Sequence, residues 1–279
     1  MAEKDMEKTG VMYEKFLDEY QSEDAVRKYG GKTAGEGVSY LLGHDYANIY
    51  MRAIRSHLAP APGKPLRLLE FGCGAGMNVT RLVALLTENR IPVEFAYGTD
   101  FSARLVQAAE EENKAYLAPK LAEKLRFFVA RNEQLVADIV SGGVAPEQIG
   151  TFDFVIGVNT FRYCHRIKKE LECARDIFQL LRPGGVCVNI DMNDRFPAFR
   201  SKLRGSVQDA DEAFIPSLDQ YESPFKAAGF QILEKKNFCW IPHSAGKALT
   251  FACRMASPVL NVVARGRAMR SLVVARKPA

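Results

Sequence analysis

No run of about 18 apolar residues occurs in this sequence, so no segment is expected to span a bilayer. The six cysteines, at 73, 164, 173, 187, 239 and 253, form no C-x-x-C pair and no Cys/His cluster at zinc spacing. A zinc module and a dithiol redox motif are therefore excluded, no metal site is expected, and the thiols read as reduced and buried. The opening MAEKDMEKTG is polar and acidic, unlike a secretory leader, which points to a cytoplasmic protein. Acidic residues are missing from Cys239 onward, where seven bases stand alone: Lys247, Arg254, Arg265, Arg267, Arg270, Arg276 and Lys277. The 238 residues before them carry 31 basic against 33 acidic groups, so the net charge of +5 belongs to the last 41 residues. With 47% apolar and 25% charged residues, the rest has the balance of a folded globular chain, not of a disordered or collagen-like one.

What is present is an alternation of strands and helices. Residues 1–58 read as an N-terminal helical cap, with helices over 5–20 and 45–58 and a glycine-rich loop over 29–43. The turn-rich APAPGKP over 59–65 separates it from the main domain, 59–279. Strands are expected at 66–71, 92–99, 125–130, 152–158, 186–191, 231–240 and 271–276. Helices are expected at 78–86, 102–111, 133–140, 168–181 and 218–228. This order implies a mostly parallel sheet covered on both faces. Two stretches, 193–219 and 241–270, read as inserts on one side of it, with Arg195, Phe196, Phe199 and Phe214 in the first.

The strongest local signal is LLEFGCGAG, in which Gly72, Gly74 and Gly76 follow an apolar strand and open a helix. Glycines there let the backbone turn sharply and approach a ligand at a strand's carboxyl end. Asp100 ends the next strand, 24 residues after Gly76, where a carboxylate can accept from ribose hydroxyls. Ser102 is placed to cap the following helix.

These motifs resemble the class I S-adenosylmethionine-dependent methyltransferases, of the type that acts on small molecules. Glu70 with Gly72, Gly74 and Gly76 matches the family's acidic-G-x-G-x-G motif. Met77 stands where the dinucleotide dehydrogenases have their last glycine. YGTDFSARLVQAAEE resembles the second motif, which places Asp100 on the ribose and Phe101 against the adenine. FFVARNEQL resembles the third, with Asn132 where an aspartate commonly meets the adenine amine and Glu133 beside it; an amide both donates and accepts. FDFVIGVNTFRY resembles the fourth, putting Gly157, Val158 and Asn159 beside the methionine part of the cofactor. LLRPGGVCVNIDM matches the approach to the fifth strand. The resemblance covers residues 67–192. It implies a Rossmann-like seven-stranded sheet with an antiparallel last strand, helices on both faces and an N-terminal helical lid.

It also implies S-adenosylmethionine as cofactor and a small organic acceptor methylated on oxygen, nitrogen or carbon. The sulfonium activates its own methyl group, so a base is needed only for an acceptor that holds its proton. His165, just past the fourth strand, is the first candidate base, with Tyr163 as a hydrogen-bonding partner to the acceptor and His44 as a lid residue. Lys32 and Tyr40 are further lid candidates. Two other readings stand beside this one. The basic tail and FRYCHR could serve an RNA cap methyltransferase. No aromatic single-strand platform and no N/D-P-P-Y/F motif is present, which argues against nucleic acid. A cofactor-binding regulatory subunit would keep the same glycine turn. The arginines of the C-terminal segment interleave with apolar residues, and Pro258 interrupts the run. That pattern is expected to form a helical wall or a peripheral contact with a membrane surface.

Overall fold

The computed structural model describes residues 20–23, 45–58, 63–197, 215–241 and 246–279. Seven strands form one sheet: β1 (Leu66–Phe71), β2 (Val93–Asp100), β3 (Leu125–Val129), β4 (Phe152–Val158), β5 (Leu181–Met192), β6 (Gln231–Phe238) and β7 (Arg270–Arg276). Their order is β3-β2-β1-β4-β5-β7-β6. Strands β1 to β5 pair in parallel, and β7 runs antiparallel to both neighbours. The central strands β1, β4, β5 and β7 are buried along nearly their whole length because apolar side chains meet a core on each face.

Eight helices are relevant to the site: α1 (Ala47–Ala53), α2 (Met77–Glu88), α3 (Ala103–Tyr116), α4 (Leu135–Ser141), α5 (Phe161–Arg166), α6 (Glu170–Leu180), α7 (Leu218–Ala227) and α8 (Lys247–Val263). One core joins Leu68, Phe154, Val188 and Val274 to α2 and to the N-terminal segment. The other joins Leu69, Val155 and Cys187 to α4, α6 and α7. Tyr46, Ile49, Tyr50, Ile54 and Leu58 share the first core with the sheet. Residues 46–58 of the N-terminal segment thus pack into the sheet's own core.

The expected strands and most helices lie where the periodicity put them. Three details differ. The helix expected over 168–181 is α6, and an unexpected short helix, α5, precedes it, set off by Lys168 with its left-handed φ of 57°. Strand β5 begins at Leu181, before Pro183-Gly184-Gly185. That turn is tied into the sheet by Gly184 N–H to the Lys277 carbonyl and Lys277 N–H to the Gly185 carbonyl, each 2.9 Å. Pro258 lies inside α8 without ending it. Proline there removes only the N–H that would have met the Arg254 carbonyl on an exposed stretch of helix.

Candidate active site

The order of the strands reverses at β1, so β2 lies on one side and β4 on the other. The carboxyl ends of β1 and β4 border the crevice where open α/β sheets bind ligands. At the end of β1 the chain turns through Gly72, Gly74 and Gly76, with φ of 59°, 55° and 76°. A Cβ on Gly72 would sit 1.9 Å from Thr160 Oγ1, so only glycine lets the turn lie against the end of β4. A Cβ on Gly74 would meet no heavy atom within 4 Å. The middle of the turn therefore faces open space.

Asp100 holds this turn. Its Oδ2 accepts from Gly74 N–H at 2.9 Å and its Oδ1 from Ser102 N–H at 3.0 Å. Burial pushes its pKa up to about 6, against these two bonds. Each oxygen retains acceptor capacity for a further donor. Ser102 caps α3 by accepting from Leu105 N–H at 3.3 Å, as its position implied. Its hydroxyl also donates to the Tyr20 carbonyl at 2.7 Å.

Glu70 is fully buried on the β1 side of the turn. Its carboxylate accepts from Val79 N–H at 2.8 Å and Asn78 Nδ2 at 3.0 Å, which fastens the start of α2 to the sheet. Burial raises its pKa to about 8. Asn78 Oδ1 is buried with no partner. An amide flip would let a protonated Glu70 donate to that oxygen, consistent with a neutral carboxyl.

Asn132 begins a single helical turn after β3, and its Nδ2 donates to Thr160 Oγ1 at 2.8 Å. Gly72, Asn132 and Thr160 thus meet at one point, and Glu133 follows in the same turn. Phe101 lies edge-on to Tyr20 with centroids 5.7 Å apart. Val158 ends β4, and Asn159 follows with a left-handed φ of 56°. The Asn159 N–H donates to the Ile190 carbonyl at 2.8 Å.

Beyond β4 lies a second polar group. Asp191, fully buried near the end of β5, accepts from Arg162 N–H at 3.0 Å and Met192 N–H at 2.8 Å. The Arg162 guanidinium is 3.9 Å from it. Burial raises the Asp191 pKa, opposed by Arg162 and Arg270. Arg162 Nη2 donates to Tyr163 Oη at 2.6 Å, and the Tyr163 and Tyr20 hydroxyls are 2.6 Å apart. Tyr20 therefore bridges Ser102 on the β2 side to Tyr163 past β4.

His165 is enclosed edge-on by Phe161 at 5.2 Å and Tyr221 at 5.6 Å, with Glu170 Oε1 3.8 Å from its Nδ1. Burial lowers its pKa to about 4, so its imidazole is neutral near pH 7. His44, Lys32, Tyr40, Phe199 and Phe214 lie outside the described residues. Among the described residues no group of three or more His, Cys, Asp or Glu could hold a metal ion. Tyr20, Thr160, Arg162, Asp191 and Arg270 are site residues that the sequence did not flag; Arg270 is fully buried at the start of β7, with Nη1 donating to Asn159 Oδ1 at 2.5 Å.

A glycine turn at the reversal point of a seven-stranded sheet with reversed β7 defines the class I methyltransferase architecture. A family model described as methyltransferase domain matches residues 43–235, and the chain belongs to that family. Citrinin polyketide synthase of Monascus ruber is 29% identical over 139 residues, which is 50% of this chain and 5% of that protein. The chain thus spans a small fraction of the curated relatives it matches. Among solved structures, the [4+2]-cyclase SpnF superposes with a TM-score of 0.55 at 18% identity, over 90% of this chain and 88% of that one. The citrinin polyketide synthase CMeT domain gives 0.53 at 16%, over 85% and 53%. At such identities the likeness concerns the fold alone, and one neighbour is a cyclase, so chemistry has to be argued from the site.

Proposed function

We propose that this methyltransferase binds S-adenosylmethionine along the carboxyl ends of β1, β2 and β4 and methylates a small, partly apolar organic acceptor. The observation that carries the reading is the pair formed by Gly74 and Asp100. The turn presents a position with no neighbouring atom where a Cβ would stand, next to a carboxylate with spare acceptor capacity. A nucleoside carrying a ribose diol fits that pair. In this reading Asp100 accepts from the ribose, Phe101 lies against the adenine and Asn132 meets its edge. Gly72, Gly76 and Glu70 shape the turn from behind, and Val158 and Asn159 border the methionine portion, with Glu133 at the rim. When bound, the cofactor supplies an electrophilic methyl group that leaves with its C–S bond electrons returning to sulfur.

The chain's own work is then placement. Tyr163, oriented by Arg162 and Tyr20, offers a phenolic hydroxyl toward the acceptor side. His165, sealed by aromatic rings and with a pKa near 4, is a weak base, so its role is to hold α5 in place under Tyr163. His44 remains a proposed lid residue. The curated relatives favour a polyketide-like acceptor with few charges. The test is turnover with methyl-labelled S-adenosylmethionine against phenols, amines and 1,3-dicarbonyls. Label in a product is expected. Cofactor binding with no label in any acceptor would favour the regulatory-subunit reading.

A second proposal concerns α8. Phe251, Met255, Val259 and Val262 recur along one side of it and are 63–78% exposed. Arg254, Arg265 and Arg267 stand beside them, with no acidic residue after Phe238. An apolar face flanked by bases suits an anionic lipid surface. Among the described residues no helix is long and apolar enough to cross a membrane, so the contact would be peripheral. Co-sedimentation with vesicles of phosphatidylglycerol and phosphatidylcholine is expected, and Phe251→Glu with Val259→Glu should abolish it. Sedimentation velocity showing a dimer that the same changes dissolve, without vesicle binding, would assign the face to a second copy instead.

A further inference from the structure

Arg270 is the first residue of β7, the one reversed strand. Reversal puts it at the carboxyl edge of the sheet, opposite Met192 at the end of β5 and Phe238 at the end of β6. Its side chain is fully buried. Nη1 donates to Asn159 Oδ1, while Nε and Nη2 are buried with no hydrogen-bond partner. A buried guanidinium that leaves donors unused is costly, and such groups are normally paired with an anion.

The charges around it do not supply that pairing. Asp191 feels both Arg162 and Arg270, but its oxygens already accept two backbone N–H groups and it stands 3.9 Å from Arg162. Glu70, on the same face of the sheet, is neutral below its pKa of about 8 and is bonded to Asn78 and Val79. Asp45 and Arg270 both act on the Tyr46 hydroxyl, which is buried and itself without a partner. Tyr46 packs edge-on to Phe238, centroids 6.2 Å apart, which brings its ring beside the strand end that Arg270 faces. Two guanidinium donors and a phenol thus remain unused next to Asn159, the residue assigned above to the methionine side of the cofactor.

We propose that Arg270 binds an anionic oxygen of the acceptor. The acceptor class is one with an acidic oxygen: a phenol, an enolisable carbonyl compound or a carboxylic acid, taken in ionised form. The inference rests on the methyltransferase reading and narrows it. An ionised acceptor has already given its proton to water, so no base is required in the site, which agrees with the neutral, enclosed His165. The new bond from the acceptor to the methyl carbon forms as the C–S bond breaks. The acceptor's negative charge and the sulfonium's positive charge cancel, leaving two neutral products. The Arg270 donors to the oxygen then lose their anion, which favours release.

The test uses 4-nitrophenol, whose phenolate is coloured, in the presence of S-adenosylhomocysteine. The wild-type protein is expected to bind the phenolate at least about tenfold more tightly than the phenol, seen as a lowered apparent pKa of the bound probe by about one unit or more. Arg270→Gln and Arg270→Met should remove that preference, and Arg270→Lys should keep part of it. Arg270→Met should also fold with an unchanged or higher Tm, because an incompletely paired buried charge is replaced by an apolar chain of similar length. S-adenosylhomocysteine should bind all four proteins. Equal affinity of the wild type for phenol and phenolate, no probe binding, or a preference that survives in Arg270→Met would overturn the inference. Failure of the wild type to bind S-adenosylhomocysteine would instead strike the underlying methyltransferase reading.

Discussion

Around the glycine turn, Glu70 and Asp100 have every oxygen hydrogen-bonded, whereas across β4 Arg270 keeps two donors and Tyr46 its hydroxyl unpaired. The amide of Asn189, on β5 two residues before Asp191, is also buried without partners. Both regions lie at the carboxyl edge of one sheet and both are buried. The difference teaches how each is completed. In the proposed reading the nucleotide side is preformed, because its two carboxylates are satisfied by backbone N–H groups and the Asn78 amide, with only the Asn78 Oδ1 behind them unpaired among the groups that hold the turn. In the same reading the acceptor side is left with unpaired polar groups that a ligand can satisfy.

The sharpest way to break this contrast is to remove charge from the acceptor side. Asp191→Ala leaves Arg162 and Arg270 buried together and should cost about 3–5 kcal/mol of stability. Adding Arg270→Met to it should restore part of that loss in urea unfolding. Equal loss in the single and double variants would show that the two groups are not coupled. Within the glycine turn, Gly72→Ala should cost about 2–4 kcal/mol, because its Cβ meets the stiff side chain of Thr160 at a left-handed φ. Gly74→Ala should cost only the conformational part, about 1–2 kcal/mol. Matching losses would deny that the two positions face different surroundings.

Smaller effects follow from titration. Glu70 has a folded pKa of about 8 against an ordinary 4.5, so its contribution to stability is full below about pH 4.5 and declines as pH rises to about 8. Glu70→Gln removes that decline, and its Tm should gain on the wild type between pH 5 and pH 9. Gln can bond Val79 N–H and, after the amide flip, Asn78 Oδ1. A constant Tm difference over that range would mean that Glu70 is ionised when folded. His165 has the opposite sign: its folded pKa of about 4 lies below 6.5, so stability falls as pH drops through that window. His165→Phe should stay within about 1 kcal/mol of the wild type at pH 7 and lose less on acidification.

The glycine turn, Asp100 and all seven strands were legible because their signals are local: apolar runs of strand length, punctuated by Gly and Pro. The reversed β7 was legible only through resemblance, since a strand's direction leaves no mark on its residues. The short helix FRYCHR was missed because six residues show too little periodicity. Glu70 was expected near the cofactor, and its geometry shows it tying α2 to β1. Arg270 read as one more member of a basic tail. Its partner Asn159 is 111 residues away, so nothing in the neighbouring sequence marks it as buried. The excess charge of the C-terminal segment thus has two fates: Arg254, Arg265 and Arg267 are exposed on or just after α8, and Arg270 turns inward.

The most direct test of the central claim is a calorimetric titration of the full chain with S-adenosylmethionine, run beside Gly74→Leu. The account predicts one site per chain in the wild type and none in Gly74→Leu, with both proteins giving cooperative unfolding. No binding by a folded wild type, or undiminished binding by Gly74→Leu, would contradict it.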